Sequence, residues 1–431
     1  MLKTLSLAAL LASAAPAAPV LLISIDGLRP QEWQGGPKSN ANGLALPNLR
    51  GLAAGGAFAA VQGVLPSVTY PSHETLITGA APARHRIVSN LTFDPLQRND
   101  AGWFWYAADA KAPSLWQAAH DRGLKTLNVH WPVSVGAAGL DVNLPQIWRK
   151  GTADDAKLVA ALAWPRDVLA GLEARLGAYA DGIDESVAGD AVRVRFAATL
   201  LAELKPDFTT IYLAGLDHSE HEHGPDSAEA RAVLAETDRL VGDLVAAARK
   251  ARPDTVVVLV SDHGFAPVTR QSNLWAPLVQ AGLLQLGADG KPLPGWQAMP
   301  WLAGGSAQIV LARPDDAALQ AQVLGLFTAL AADPDAGIDR VVAPGAALAM
   351  GGNAGIWINL KPGFTTGIDP AAAQGAPAKV KGMHGYFPDV AAMRSSLIIN
   401  GGGQRGDLGL VDMRAIAPTI ARILGVPLPS A

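Results

Sequence analysis

The sequence contains no cysteine among its 431 residues. Disulfide bonds, zinc sites built on thiolates and a cysteine nucleophile are therefore excluded, and a bound metal must use nitrogen and oxygen ligands. Charge is also sparse, since charged residues make up 17 % of the chain and the net charge is -4. No overall positive field exists to attract a nucleic acid polymer or an anionic membrane. With 49 % hydrophobic residues, the chain can bury a large core, as one elaborated domain or two.

Uncharged apolar stretches long enough to span a bilayer, about 20 residues, are missing as well. The first residues carry an early lysine, Lys3, then a short apolar run, then small residues at 12–14 or 15–17. That pattern predicts an export signal over residues 1–17, with a buried first helix as the alternative. We therefore expect no membrane span in the mature chain and a location in the periplasm or outside the cell.

The rest of the chain alternates short apolar runs with helical patterns. Strands are predicted at 20–25, 58–64, 125–130, 208–213, 255–260, 307–311, 356–360 and 395–399, and helices at 71–79, 113–122, 192–204, 228–250, 317–332 and 415–424. Such alternation predicts an α/β fold, a doubly wound and mostly parallel sheet with helices on both faces. A Gly- and Pro-richer segment at about 265–381 predicts a smaller subdomain inserted into a single catalytic domain over 18–431, and the less regular residues 133–190 predict a lid over the strand ends.

One hydroxyl is placed to attack phosphorus. Thr69 stands two residues before Pro71, which can open a helix. The free N–H groups and positive dipole end of a helix N-terminus attract an anion such as phosphate. Because a threonine hydroxyl is protonated at neutral pH, divalent metal ions are needed to lower its pKa. The stretch therefore predicts a metal-activated threonine that forms a phosphothreonine, which water then hydrolyses.

Carboxylates and imidazoles follow three of the predicted strands. Asp26, Asp217 and Asp262 each come just after a strand, and the carboxyl ends of parallel strands meet where ligands bind in such sheets. One such aspartate is often only a helix cap. Three of them, with His221 and His263 alongside, predict a site for Zn²⁺ or a similar divalent ion.

The remaining histidines have different expected roles. Asp217 and His221 are four residues apart, so one helical turn presents both on one face. His384 is expected to be a further ligand, whereas His218 and His223 are expected to support the site or to face solvent. The other positions are His73 and His85, which fit either a ligand or a packing role, and His120 and His130, which fit a structural role.

Taken in order, these motifs resemble the alkaline phosphatase superfamily and, within it, the nucleotide pyrophosphatase/phosphodiesterase family. The similarity spans about residues 20–425. It rests on Ile25-Asp26-Gly27, on Thr69-Tyr70-Pro71-Ser72-His73 with Thr78-Gly79, His85 and Asn90, on Asp217 to His221 with Gly224-Pro225, on Ser261-Asp262-His263-Gly264 and on Gly382-Met383-His384-Gly385-Tyr386. Each motif alone is weakly specific, but the ordered set is specific.

The resemblance implies an alkaline-phosphatase-like fold, two zinc ions and the hydrolysis of phosphodiester or pyrophosphate bonds in a small substrate. Its implied ligands are Asp217, His221 and His384 for one ion, and Asp26, Asp262, His263 and the Thr69 oxygen for the other.

It also implies how the substrate is held. Asn90 would donate a hydrogen bond to a non-bridging phosphate oxygen, with help from the Thr69 backbone N–H. Tyr70 stands where the family usually has a phenylalanine that stacks on a nucleobase, so the resemblance favours a nucleotide or another small phosphodiester.

A phosphomonoesterase of the same superfamily is the main alternative. Monoesterase relatives with a threonine nucleophile generally bind the extra phosphate charge with a Lys-x-Arg pair. This chain has His130-Trp131-Pro132-Val133-Ser134 in that region, similar to the diesterase branch. Arg84, Arg86 and Arg98 lie near Asn90 in sequence and keep the monoesterase alternative open.

Two further alternatives are disfavoured. A sulfatase needs a Cys-or-Ser-x-Pro-x-Arg pattern, which the segment 67–71 does not supply. A non-catalytic zinc-binding protein is the alternative from a different class, but it would leave a complete nucleophile and phosphate-binding set without a use.

Overall fold

The computed structural model describes residues 17–34, 44–98, 102–147, 153–179 and 185–428. The predicted export signal at 1–17 lies outside the described residues except for its last position. Along the described residues, no helix combines the length and the apolar character that crossing a bilayer requires.

The strands of the described residues vary from two to seven residues in length. In chain order they are β1 (Val20–Ile25), β2 (Ala57–Gln62), β3 (Thr126–Val129), β4 (Val142–Leu144), β5 (Phe208–Leu213), β6 (Val256–Val260), β7 (Ala266–Ser272), β8 (Ala298–Leu302), β9 (Ser306–Leu311), β10 (Ile338–Val342), β11 (Ile356–Leu360), β12 (Gly363–Thr366), β13 (Ala376–Pro377), β14 (Gly382–Met383), β15 (Ser395–Asn400) and β16 (Gly406–Asp412).

The α-helices of the same residues lie mostly between strands of the central sheet. In chain order they are α1 (Pro30–Trp33), α2 (Pro47–Ala54), α3 (Thr69–Thr78), α4 (Pro82–His85), α5 (Leu115–His120), α6 (Ala153–Leu162), α7 (Val168–Leu176), α8 (Val187–Leu204), α9 (Gly215–His223), α10 (Ala228–Ala251), α11 (Ala276–Gln280), α12 (Ala317–Leu330), α13 (Pro344–Ala349) and α14 (Ile416–Leu424).

An eight-stranded sheet forms the centre of the molecule, in the order β16-β2-β15-β6-β1-β5-β3-β4. Its central pairs β6-β1 and β1-β5 are parallel, and so are β5-β3, β3-β4 and β2-β16. Only β15 among these strands runs antiparallel to both of its neighbours. The predicted mostly parallel α/β sheet is therefore confirmed.

Both faces of this sheet carry helices, as the alternation along β1 requires. Leu21 and Ile23 belong to a core cluster that includes side chains of α2, α8 and α10. Val20 and Leu22 belong to a second cluster, on the opposite face, with side chains of α3, α5 and α14. Because successive strand side chains point to opposite faces, a continuous apolar run such as 20–23 fills both cores at once.

The segment between β6 and β15 builds a separate sheet with its own core. Strands β10, β11, β9 and β8 pair in that order, and α12 packs its buried side chains with theirs in a third apolar cluster. β7 pairs with β12, β13 and β14. The pairing of β14 with β7 returns the chain to the end of β6, which places residue 384 beside residues 262 and 263.

Two local predictions differ from the structure. The helix predicted from Pro71 begins at Thr69, so Thr69 is its first residue and Val68 is its N-cap. Within 133–190, predicted as a lid, residues 142–144 instead extend the central sheet as its edge strand β4. A three-residue strand is too short to give a clear periodic signal in the sequence.

Candidate metal centre and active site

Three ligand-type side chains meet at the carboxyl ends of β1 and β6. We call Asp26, Asp262 and His263 the deep group, because all three are buried. His263 Nε2 lies 3.2 Å from Asp26 Oδ1 and 3.1 Å from Asp262 Oδ2. Candidate ligand atoms of the three residues lie within 4.8 Å of one another, so one ion can contact all of them.

A second set of three meets beside it. We call Asp217, His221 and His384 the outer group, because the His221 side chain is 24 % exposed. Asp217 and His221 share one face of α9, and His384 follows β14. Nε2 of His221 lies 3.4 Å from Asp217 Oδ2, and Nε2 of His384 lies 3.6 Å from Asp217 Oδ1. These ligand atoms also lie within 4.8 Å of one another.

The two groups adjoin each other and the predicted nucleophile. The rings of His263 and His384 stack with centroids 3.7 Å apart. Thr69 Oγ1 lies 3.4 Å from His263 Nε2. The sequence-predicted ligands and the predicted nucleophile are therefore brought together in one site.

Each imidazole of these groups has its ring orientation fixed by a backbone carbonyl. Nδ1 lies 3.0 Å from the Gly382 oxygen in His221, 3.2 Å from the Gly264 oxygen in His263 and 3.4 Å from the Ser67 oxygen in His384. A carbonyl oxygen only accepts, so Nδ1 carries the proton in each ring and Nε2 presents a lone pair to the site.

Electrostatics make these groups suited to cations. Burial raises the pKa of Asp26, and the nearby Asp217 carboxylate raises it further. Burial likewise raises the pKa of Asp217 and Asp262 and lowers the pKa of His221 to about 4. Neutral imidazoles thus face buried carboxyl groups that repel one another, an arrangement that a bound cation would stabilise.

Unpartnered oxygen atoms support the same fit. Asp26 Oδ1, Asp217 Oδ1 and Asp262 Oδ2 are buried and have no hydrogen-bond partner among the residues that the structure describes. Buried carboxylate oxygens are costly unless a cation or a donor meets them. The donor set is imidazole nitrogen with carboxylate oxygen, three protein ligands in each group, which suits zinc with an open coordination position.

Backbone contacts orient the two predicted phosphate-binding elements. The Tyr70 N–H donates to Asn90 Oδ1 over 2.8 Å. This bond fixes the Asn90 amide so that its NH₂ end remains to donate elsewhere. Thr69 as the first residue of α3 puts the hydroxyl at the positive end of the helix.

The structure buries Tyr70, which was predicted to stack on a nucleobase. Its ring is 1 % exposed and packs against the Trp103 ring at 5.3 Å between centroids. Ile87 and Val133 belong to the same apolar cluster. In this arrangement the Tyr70 ring has no open face, and the aromatic side chain above it is the partly exposed Trp103.

Other predicted histidines lie outside the two groups. His73 Nδ1 is 2.8 Å from the Thr69 carbonyl oxygen, so it donates to the backbone of the nucleophile, and burial lowers its pKa to about 3. His85 Nε2 contacts the Thr75 hydroxyl at 3.1 Å. His218 and His223 are exposed and contact the Glu222 carboxylate.

Sequence reasoning missed Tyr212. Its hydroxyl donates a short hydrogen bond to Asp26 Oδ2, which leaves Asp26 Oδ1 toward His263. Tyr212 lies opposite Ser24 in the β1-β5 register. The sequence does carry one signal for this role. Tyr212 places a hydroxyl near the end of a fully buried strand, five residues before Asp217.

Comparison with known families matches residues 20–340 to the family described as type I phosphodiesterase / nucleotide pyrophosphatase. Ectonucleotide pyrophosphatase/phosphodiesterase family member 1 of Mus musculus is 25 % identical over 262 residues, which are 57 % of this chain and 24 % of the relative. Venom phosphodiesterase of Macrovipera lebetinus is 24 % identical over 269 residues, 58 % of this chain and 26 % of the relative. The chain thus spans about a quarter of the length of these relatives.

Solved structures agree on the fold. Murine ectonucleotide pyrophosphatase/phosphodiesterase 5 superimposes with a TM-score of 0.65 at 16 % identity, over 95 % of this chain and 96 % of that chain. An inactive variant of the murine protein in complex with AMP superimposes with the same score and coverage. Since the family model covers most of the chain and the fold agrees, the chain belongs to the type I phosphodiesterase / nucleotide pyrophosphatase family.

Proposed function

We propose that the chain is a zinc-dependent hydrolase of phosphodiester or pyrophosphate bonds that acts through a phosphothreonine at Thr69. The observation that carries the proposal is the position of the Thr69 hydroxyl, 3.4 Å from His263 Nε2 and next to two groups of metal-ligand type. Family membership supports the same reaction class.

The deep group, with the Thr69 oxygen, would hold one zinc ion and the outer group a second. Divalent ions bound there would lower the pKa of the Thr69 hydroxyl, stabilise the leaving oxygen and offset charge on the transferring phosphoryl group. The residues of this chain contribute the geometry: Nδ1 contacts to carbonyl oxygens orient the imidazoles, and the Tyr212 hydroxyl orients Asp26.

Hydrolysis then proceeds in two displacements at phosphorus. Thr69 Oγ1 attacks in line, the Thr69–phosphorus bond forms, and the bond to the leaving oxygen breaks. Water next attacks the phosphothreonine, and the Thr69–phosphorus bond breaks to release a phosphomonoester. In both steps the Asn90 NH₂ donates to a non-bridging oxygen, because Asn90 Oδ1 is already engaged by the Tyr70 N–H.

A diester is favoured over a monoester by the segment that follows β3. His130, Trp131, Val133 and Ser134 are all buried, and none of them offers a fixed positive charge to a dianionic phosphate. Arg84, Arg86 and Arg98 are exposed. Because this described segment presents no fixed cation to the phosphate, it suits the single negative charge of a diester.

The substrate is proposed to be small, and the part that stays bonded to the phosphorus on Thr69 is proposed to carry a flat ring. Because Tyr70 is covered, a nucleobase at this wall would stack on Trp103 rather than on Tyr70. A nucleotide is supported as a substrate by the AMP complex of the murine relative.

Turnover of two model substrates tests the proposal. Zinc-loaded protein is expected to hydrolyse bis-p-nitrophenyl phosphate faster than p-nitrophenyl phosphate. A large preference for the monoester would instead support the phosphomonoesterase alternative. Bound zinc with no turnover of any phosphate ester would support a non-catalytic zinc-binding protein.

We also propose that the chain is exported, on the pattern of residues 1–17. Expression of the full chain in a Gram-negative bacterium, followed by osmotic release of the periplasm, is expected to give a shortened protein in the periplasmic or extracellular fraction. Full-length protein retained in the cytoplasm would contradict this.

A further inference from the structure

A buried arginine contacts the C-terminal part of helix α9 from the loop after β1. Arg29 comes three residues after Asp26, and its side chain is 7 % exposed. Its Nη2 donates to the carbonyl oxygen of Pro225 over 2.7 Å, to Glu32 Oε1 over 2.8 Å and to Asp226 Oδ1 over 3.0 Å. Its Nε lies 3.7 Å from Glu220 Oε1.

These contacts connect the loop after β1 to helix α9. Glu220 lies on α9 between the outer-group ligands Asp217 and His221, and Pro225 follows the end of that helix. Arg29 itself belongs to the loop that carries the deep-group ligand Asp26. Arg29 therefore joins the loop of the deep-group ligand Asp26 to α9, the helix that carries two of the three outer-group ligands.

The loop and the side chains of α9 approach each other closely at Gly27. A Cβ on Gly27 would lie 2.8 Å from Glu220 Oε2, and the residue has a φ of +74°. Only glycine adopts this conformation readily and leaves room for the carboxylate. Direct contact between the loop and the helix thus positions Asp26 relative to α9. Arg29 provides the charged part of that contact.

Arg29 also supplies charge where it is needed. Glu220 is fully buried, and within the described part of the chain neither of its side-chain oxygens has a hydrogen-bond partner. The Glu32 carboxylate also accepts hydrogen bonds from Arg29, one from the Arg29 backbone N–H over 3.0 Å and one from the Arg29 guanidinium. An arginine stays protonated in proteins, so its charge beside these acids does not depend on pH.

We propose that Arg29 is a positioning residue that fixes helix α9, and with it the outer group, relative to the deep group. The inference rests on the proposed function to the extent that both groups bind metal. Arg29 would thereby fix the distance between the two metal positions. In-line displacement at a phosphorus atom held between the two ions depends on that distance. Residues that orient metal ligands typically change metal affinity by about 10- to 100-fold when they are replaced.

The outer group should depend on Arg29 more than the deep group does. The ligands of the deep group sit at the ends of two paired strands, β1 and β6. The outer group combines α9 with the segment after β14. The start of α9 is held by the Asp190 carboxylate, which accepts from the Ala214 and Gly215 N–H groups over 3.0 and 2.8 Å, and its second half by the Lys381 N–H, which donates to the His221 carbonyl oxygen over 2.8 Å. Loss of Arg29 would remove the guanidinium contacts at the C-terminal end of α9, beside His221, while the paired strands keep the deep ligands in place.

Zinc affinity measured by competition with a chromogenic chelator tests the proposal, on variants that keep the far-ultraviolet spectrum of the parent. Arg29→Met removes the charge and the hydrogen-bond donors but keeps a side chain of similar length. Arg29→Lys keeps the charge but loses the planar set of guanidinium N–H donors. Arg252→Met is the matched control, because Arg252 pairs with Asp207 at 2.9 Å at the opposite ends of the strands.

Arg29→Met is expected to weaken one of two zinc ions by at least about tenfold, with a smaller loss in Arg29→Lys and none in Arg252→Met. His384→Ala removes an outer-group ligand and leaves the ion at the deep position. Adding Arg29→Met to that variant should change the affinity of this remaining ion less than about threefold.

Wild-type affinity for both ions in folded Arg29→Met, or equal losses in Arg252→Met, would overturn the proposal. If Arg29→Met does not fold, Arg29→Lys decides: unchanged outer-group affinity in that variant would overturn it. Parent protein that binds no zinc would instead remove the proposed function itself, so the two failures are distinguishable.

Discussion

The deep and the outer groups use similar donors but are built in different ways. The deep group has Asp26 and Asp262-His263 at the ends of two adjacent parallel strands and is buried throughout. The outer group takes Asp217 and His221 from a helix and His384 from a segment that returns after more than a hundred residues of inserted structure. Its His221 side chain is partly exposed.

This difference has consequences for rigidity. Ladder hydrogen bonds fix the deep ligands, because β1 and β6 pair along their length. The outer ligands are held by contacts between separate elements, among them the His221 contact with Gly382 and the Arg29 contacts. The sheet therefore defines one metal position, while the second depends on how helix α9 and the inserted segment pack against it.

Replacement of Thr69 gives the largest expected effect and tests what both groups share. Thr69→Ala should lower kcat by at least about a thousandfold, because the nucleophile is lost, while zinc content stays close to that of the parent. The control is Thr419→Ala, since Thr419 is also buried in a helix and donates to a backbone carbonyl. Near-normal turnover in Thr69→Ala would remove Thr69 from its role.

Loss of a histidine from one group or the other is expected to have the next largest effect. His384→Ala should empty the outer position and roughly halve the zinc per chain, as should His263→Ala for the deep position. His263→Ala should also lower the melting temperature more, because it leaves Asp26 and Asp262 buried without their cation. Metal analysis and calorimetry measure both; equal melting temperatures would contradict the contrast.

A single hydroxyl next to the deep group sharpens the comparison. Tyr212→Phe removes the donor to Asp26 Oδ2 and should weaken zinc at the deep position by roughly tenfold, with the outer position unchanged. Tyr386→Phe is the matched control, since its hydroxyl donates to the Phe364 carbonyl oxygen and not to a ligand side chain. A loss confined to the outer position would show that the groups were assigned wrongly.

The smallest effect is expected on the outward side of α9. His218 is 45 % exposed and contacts Glu222, on the same helix as the outer ligands. His218→Ala should change kcat/KM and zinc affinity by less than about twofold, because an exposed contact of this kind contributes little. A loss as large as that of His384→Ala would extend the outer group to His218.

The sequence alone was sufficient for the parts of the fold and site that depend on pattern. The run Val20–Ile25 identifies a strand buried on both faces, and strand ends locate Asp26, Asp217 and Asp262 because parallel strands share one binding edge. The position of His384 and the role of Asn90 instead depended on resemblance to a family, since neither follows a predicted central strand.

Side-chain packing between distant elements was beyond sequence reasoning. Tyr70 precedes Pro71 in a helix start, and nothing in that pattern predicts that Trp103 covers its ring. Arg29 and Glu220 are far apart in sequence, and Tyr212 reads as one more residue of an apolar strand. Their contacts follow from how β5 pairs with β1 and how the loop after β1 meets α9, which periodicity does not encode.

The most direct test of the central claim is a crystal structure of zinc-loaded protein with anomalous data collected at the zinc edge. The account predicts two peaks, one among Asp26, Asp262 and His263 and one among Asp217, His221 and His384, about 4 Å apart, with Thr69 Oγ1 within bonding distance of the first. A single peak, peaks elsewhere, or a Thr69 hydroxyl turned away from both would contradict it.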